Sequence, residues 1–336
     1  MWTRHIGAAL GVVAASTLLH CGAAVSATRA PAQGAQEPQD YPNRQVRVIV
    51  PFPPGSSDTV ARMLAEQLGE AFRQTFYIDN RPGASGTLGS GVAARAEPDG
   101  YTLLFPTCSH AISAVSVKNI PFDSVQDFTP VAKVADSPMV LVANPSLPAN
   151  SVQELIALAK KDPGALTYAT NGPGSITSLG MVLFKSMTGV SMRDIPYKGA
   201  GQSLTALIGG EINFMLAPLG AVSAYLQANQ LKALAIASGR RSPLVPDLPT
   251  IAESGVPGYE ATCWYGVLAP KDMPAPIVQK LQDQIEKAMQ SAEMKNRLAT
   301  LGVEPSPESG ATFGAYMASE IDKWGKVYKD TGLAQE

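Results

Sequence analysis

Hydrophobic positions along the chain recur with two periods, and these alternate from residue 45 onward. Val46-Arg47-Val48-Ile49-Val50 is a short β-branched run that predicts a strand. After a Pro- and Gly-rich loop, Val60, Leu64, Leu68 and Phe72 recur every four residues, which puts one buried face on a helix. Strands at 76–78 and 101–105 and a small-residue helix at 87–95 complete a first set, spaced as βα units rather than hairpins. A bridging segment at 128–144 follows, and its apolar run Met139-Val140-Leu141-Val142 suits a strand crossing between two lobes.

A second set predicts helices at 151–160, 176–188, 201–208 and 222–228 and strands at 166–170, 192–196 and 212–216. Ser151 with Glu154 three residues on is a capping box that marks where the first of these helices begins. Residues 231–237 would return the chain to the first lobe, completed by a strand at 260–268 and helices at 275–290, 293–301 and 309–328. The predicted fold is α/β with two lobes, each a mainly parallel sheet flanked by helices, and two crossing segments as hinge. On this reading 41–135 and 235–336 build lobe 1, and 136–234 builds lobe 2.

Upstream of the periodic region the pattern changes. Arg4, an apolar run over 6–19 and the small residues Val25-Ser26-Ala27 read as a cleavable signal peptide at 1–27, hence export to the periplasm. The run is too short to remain as a membrane anchor. Cys21 after Leu18-Leu19-His20 loosely matches a lipidation site, but His20 stands where a small residue is expected. Residues 28–40, rich in Ala, Pro and Gln, read as a disordered leader.

Composition narrows the function. With 336 residues and 45% hydrophobic content, the chain can bury a large core, and 26 Lys+Arg against 28 Asp+Glu leave no electrostatic footprint for nucleic acid. Of three histidines, His5 and His20 lie in the cleavable signal peptide, which leaves His110 for chemistry. Cys108 and Cys263 both sit in apolar surroundings, so one disulfide and two buried thiols are both open, and they are not a metal pair. No metal site or cofactor is expected: Gly83-Ala84-Ser85-Gly86-Thr87-Leu88-Gly89 lacks the dinucleotide order of glycines, and no phosphate-binding G-x-x-x-x-G-K-[ST] occurs.

The candidate chemistry lies in loops that follow strands, where helix N-termini offer free N–H groups to an anion. Small hydroxyl residues and glycine crowd these junctions: the 51–58 loop, the 80–86 loop, Thr107 to His110, Asn171 to Thr177, and Tyr197 to Gly201. Each also has an ordinary turn or cap use; Asp58 reads as the first helix's N-cap, Arg81 as a brace for its own loop, and Trp264 and Tyr265 as core or hinge. A competing enzyme reading makes Ser175 a nucleophile and His110 its base, although the turn lacks the glycine after the serine.

Several motifs in register extend the picture. Tyr41-Pro42, Val46 to Gly55, Asp58-x-x-Ala61-Arg62, Asn80-Arg81-Pro82-Gly83-Ala84, Pro98 to Leu104, Asp127-Phe128-x-Pro130-Val131, Pro196-Tyr197-Lys198-Gly199, Leu248 to Gly255 and Trp264-Tyr265-Gly266 resemble the Bug family. Its members are extracytoplasmic substrate-binding proteins of tripartite tricarboxylate transporters, and the resemblance spans residues 41–329. It implies a two-lobed fold like the type II periplasmic binding proteins, a small carboxylate ligand, membrane transporter subunits as partners, no catalysis and a monomer. The implied first-lobe contacts are Phe52, Pro54, Gly55, Ser56, Ser57, Ser85 and Thr107. On the second lobe they are Gly172, Gly174, Ser175 and Thr177, with Lys198, Gly199 and Ala200 opposite. Asn171 and His110 join the set from the loops themselves.

Two departures stand out. The Gly55-Ser56-Ser57-Asp58 loop is one residue shorter than the family pattern, and Ser178 and Val182 replace a His and Glu one helical turn apart. Their joint loss implies a repacked helix face and a different ligand. A third function, an orphan sensor that reports ligand to a signalling partner, has the same sequence signature as a transport receptor.

Overall fold

A computed structural model describes residues 40–333 apart from 173 and 198. The signal-peptide and lipidation readings, and all but the last residue of the 28–40 leader, lie outside the described residues.

The first lobe opens with β1 (Val46–Val50), α1 (Ser56–Phe72), β2 (Phe76–Asn80), α2 (Thr87–Ala94), β3 (Thr102–Leu104), α3 (Ser109–Ser116) and β4 (Phe128–Ser137). It is completed by β10 (Cys263–Pro270), α8 (Ala275–Gln290), α9 (Ala292–Thr300), β11 (Glu304–Ser309) and α10 (Gly310–Thr331). Its sheet runs β11-β4-β10-β3-β1-β2. The second lobe holds β5 (Met139–Ala143), α4 (Val152–Lys161), β6 (Thr167–Thr170), α5 (Ile176–Thr188), β7 (Arg193–Pro196), α6 (Ala200–Ile208), β8 (Phe214–Pro218), α7 (Leu219–Gln227) and β9 (Lys232–Ile236), with order β7-β6-β8-β5-β9.

Both sheets are mixed, where mainly parallel ones are predicted. β1 pairs β2 and β3 in parallel, but β10 is antiparallel to β3 and β4, and β11 to β4. In the second sheet β6 is parallel to β7 and β8, while β5 is antiparallel to β8 and β9. The reason is the double crossing: a strand that arrives from the other lobe enters at the hinge end and must run away from it. The 231–237 segment also differs from expectation, because β9 belongs to the second sheet and the chain returns only after Ala237. Met139–Ala143 likewise lies inside the second sheet, and the first crossing is the turn at Pro138.

Each sheet is buried on both faces. In the first lobe, α1, α8 and α9 cover one face around Leu64, Leu68, Leu281 and Leu298, and Phe313 and Met317 of α10 cover the other around Ile49, Leu104 and Trp264. In the second, α4 and α5 pack over one face, and α6 and α7 over the other. Burying each large apolar side chain contributes roughly 1.5–3 kcal/mol. Ile112 of α3 and Trp324 and Val327 of α10 join the second lobe's core, so first-lobe helices stitch the two halves together. The backbones also touch directly: Leu301 carbonyl stands where a Cβ on Gly220 would be, and Gly302, with φ of +65°, faces Gly220 in return.

The open question of the cysteines resolves as a disulfide between Cys108 and Cys263, 155 residues apart in sequence. It fastens the start of α3 to the first residue of β10.

Candidate binding site

In the first lobe the loop after β1 feeds α1, whose N-cap is Gly55 and carries no side-chain cap. Asp58 is therefore not the cap, as expected from sequence, but a residue of the first turn. Its carboxylate accepts from Arg62 Nε at 2.8 Å and from Asn80 Nδ2 at 2.9 Å, and Asn80 Nδ2 also donates to the Phe52 carbonyl at 3.0 Å. Burial pushes the Asp58 carboxyl up, but the Arg62 and Asn80 hydrogen bonds outweigh it and hold the group below the ordinary carboxylate range. This network ties the 52–58 loop to the 80–86 loop. Gly86, with φ of +91°, packs so close that a Cβ there would lie 3.1 Å from the Phe52 ring, which brings Ser85 beside Phe52. Arg81 braces its own loop through Asp79, as its position suggests.

Thr107 adds a third element. It forms an isolated bridge with Tyr265, and its Oγ1 accepts from the Ser109 N–H at 3.2 Å at the start of α3. Burial pushes the Tyr265 hydroxyl above its ordinary range, and Ser56 and Ser137, the last residue of β4 before the first crossing, pull it down. Tyr265 is read from the sequence only as core or hinge; its ring is core, stacked on Phe105, and its hydroxyl reaches the loop.

In the second lobe Ser175 is the N-cap of α5. Its hydroxyl donates to the Gly172 carbonyl at 2.8 Å, accepts from the Ser178 N–H at 3.2 Å, and lies 2.9 Å from both Thr177 Oγ1 and Ser178 Oγ. Ser178, noted in the sequence as a departure, is thus part of a hydroxyl cluster at the helix start. The Asn171 Oδ1 accepts from Ser203 Oγ at 2.8 Å, and Ser203 Oγ also lies 3.2 Å from the Gly199 carbonyl. Buried Ser203, which no motif singled out, joins the Asn171–Thr177 turn to the start of α6 at Gly199 and Ala200. Lys198 lies outside the described residues.

The two sets of loops are connected by α3. It begins beside Thr107 and ends at Ser116, whose Oγ lies 3.4 Å from where a Cβ on Gly174 would stand. An eight-residue helix is about 12 Å long, so the first-lobe loop and the second-lobe turn stand at the two ends of a short rod. The N-termini of α1 and α3 on one lobe and of α5 and α6 on the other supply backbone N–H groups and the positive ends of helix dipoles. That arrangement suits an anion with charge at both ends. Among the described residues no group of three or more His, Cys, Asp or Glu could hold a metal ion.

His110 does not join this set. It is buried, its ring stacks on Phe122 and meets Phe128 edge-on, and its nitrogens lie 3.0 Å from the Ser124 carbonyl and 3.5 Å from Ser90 Oγ. Neither it nor Ser175 has the other as a hydrogen-bond partner, so the hydrolase pairing is absent. Burial pushes the His110 imidazole down to about 4, against the pull of the Ser124 carbonyl. Between pH 6.5 and 4 the unfolded chain therefore binds a proton that the folded protein refuses. Stability should fall by about 3 kcal/mol as pH drops through that window. Denaturant unfolding from pH 7 to 4 should show the decline in the native protein and a flatter profile in His110→Leu; equal profiles would contradict the assignment.

With this geometry in place, the comparisons with known proteins decide the family. Residues 60–333 match the family described as tripartite tricarboxylate transporter family receptor. Protein BugT of Bordetella pertussis is 38% identical over 295 residues, covering 87% of this chain and 90% of that protein. The chain belongs to the Bug-type tripartite tricarboxylate receptors. Solved structures agree. A Rhodopseudomonas palustris protein with adipate superposes with a TM-score of 0.76 at 37% identity, covering 88% of this chain and 99% of the other. MatC of Rhodopseudomonas palustris with bound malate gives 0.71 at 32% identity, covering 85% and 99%. Periplasmic binding protein BugD gives 0.72 at 31% identity, covering 88% and 100%. The family consists of periplasmic solute receptors with two lobes, not of enzymes, and two of the relatives carry small carboxylates, adipate and malate.

Proposed function

We propose that this chain is an exported receptor that takes a small dicarboxylate between its lobes and hands it to the membrane subunits of a tripartite transporter. The observation that carries the reading is the presence of helix N-termini with small-residue loops on both lobes, at opposite ends of α3. Adipate and malate on the relatives support the ligand class. The Cys108–Cys263 disulfide fits an oxidising compartment such as the periplasm. The proposed contacts are the backbone and hydroxyls of Phe52 to Ser57, Ser85 and Thr107 on lobe 1. On lobe 2 they are Asn171, Gly172, Gly174, Ser175, Thr177, Lys198, Gly199 and Ala200.

The mechanism is a difference in stability between open and closed states: N–H donors of both lobes are satisfied together only when the ligand bridges them, so binding favours closure. Closure presents a joint surface of the two lobes to the transporter. The end of β8, Leu216-Ala217-Pro218, offers no acid for an ammonium group, which favours a carboxylate without an amino group, aromatic dicarboxylates included. Isothermal titration of the exported protein against mono-, di- and tricarboxylates and amino acids tests this. Micromolar or tighter binding of a dicarboxylate is expected; a preference for amino acids would overturn the ligand class.

A further inference from the structure

A cavity of about 440 Å³ lies at the hinge, and none of the candidate carboxylate-site residues lines it. Its walls come from β4, β11 and α10 of the first lobe and from both crossing segments, near Pro138 and between Ser238 and Thr262. Four carboxylates line it, Asp136, Glu260, Glu304 and Glu308, against two cations, Lys133 and Arg240.

Internal pairing leaves part of this negative charge unanswered. Buried Lys133 is fully engaged, with its Nζ 3.1 Å from Asp136, 2.9 Å from Glu308 and 4.7 Å from the Tyr316 ring centre. Glu304 is tied to Ser242. Burial pushes its carboxyl above the ordinary range, Ser242 and Arg240 pull it down, and Asp136 adds to the rise. The Glu260 carboxylate rests against the backbone of Gly239 and has no ion-pair partner among the described residues; Lys323 nearby donates to its carbonyl and pairs with Glu320. Thr262, which also lines the cavity, is 96% buried and its Oγ1 has no hydrogen-bond partner. An orphaned buried hydroxyl in a cavity that also holds a carboxylate with no ion pair is costly unless something donates to it.

We propose that this cavity binds a small organic cation with a primary ammonium group, taken up by Glu260, Asp136 and Thr262. An ammonium carries three N–H donors and no acceptor, which matches two carboxylates and a hydroxyl oxygen. A metal ion fits less well, since no metal-holding group occurs among the described residues. An amino acid would bring its own carboxylate into an acid-lined space. The site shares no residue with the candidate carboxylate contacts of the cleft.

The test is isothermal titration of the exported protein at low ionic strength with 1,4-diaminobutane, using 1,4-butanediol as the neutral probe of equal length. Saturable one-site binding of the diamine and none of the diol is expected. Glu260→Gln should weaken the diamine at least tenfold. Thr262→Val should weaken it several-fold while leaving the unfolding midpoint unchanged or higher, because it removes an unpaired hydroxyl. Absence of saturable diamine binding, equal binding of the diol, or unchanged diamine affinity in folded Glu260→Gln would each overturn the proposal.

Discussion

Replacing Cys108 and Cys263 together by alanine should lower the free energy of unfolding by about 3–5 kcal/mol, since the bond closes a long loop in the unfolded chain. The loop has a sequence separation of 155 residues and contains the whole second lobe, so without the bond the unfolded ensemble gains most of its freedom there. The alanines themselves add a smaller cost, because each empties only the space of one sulfur atom, at Cys108 in the cluster with Leu104, Ala111 and Trp264. Urea unfolding should show the loss as a lower midpoint. Wild-type protein in excess dithiothreitol should fall to nearly the same value. Equal stability of oxidised and reduced protein would mean that the reduced unfolded chain is already constrained there.

The second large effect concerns ligand affinity. Gly174 sits between the Ser175 hydroxyl cluster and the end of α3, and any side chain at this position would point at Ser116. In Gly174→Leu the added carbons would wedge α3 away from the second-lobe turn, and overpacking of this kind costs about 1–3 kcal/mol. If the lobes close over the ligand here, that cost appears in the closed state, so affinity for the dicarboxylate should fall on the order of 100-fold, about 2.7 kcal/mol. The unliganded lobes relieve the wedge by opening, so the unfolding midpoint of the free protein should change little. Titration calorimetry separates the two: full affinity in a folded Gly174→Leu would remove this turn from the site.

Much of the fold could be read from residue pattern. The four-residue spacing of Val60, Leu64 and Leu68 places α1, and Ser151 does cap α4, accepting from the Glu154 N–H at 3.1 Å. Strand direction could not be read, because alternation of apolar residues is the same in either sense; only the route of the chain across the hinge fixes it. β11 has no strand signature because Pro305 and Pro307 interrupt its run, and it survives by lying at the sheet edge where a missing N–H is tolerated. α3 has the pattern of a loop because of Ser109, Ser113 and Ser116, yet these small residues let it pass between two lobes.

The candidate site divides the same way. Glycine and serine at strand ends mark the loops, since few other residues serve there. The residues that join the loops are hidden by their ordinary types: Ser203 is one more helix serine, and Tyr265 one more aromatic in a core strand. The Cys108–Cys263 pairing was hidden for a similar reason, because a buried thiol and a buried disulfide leave the same apolar flanks.

A crystal structure of the protein with the dicarboxylate that titration selects tests the central claim most directly. It should show one carboxylate within hydrogen-bond reach of backbone N–H groups at the start of α1 or α3, and the other at the start of α5 or α6. A ligand held by one lobe alone, or seated away from these helix ends, would contradict the account.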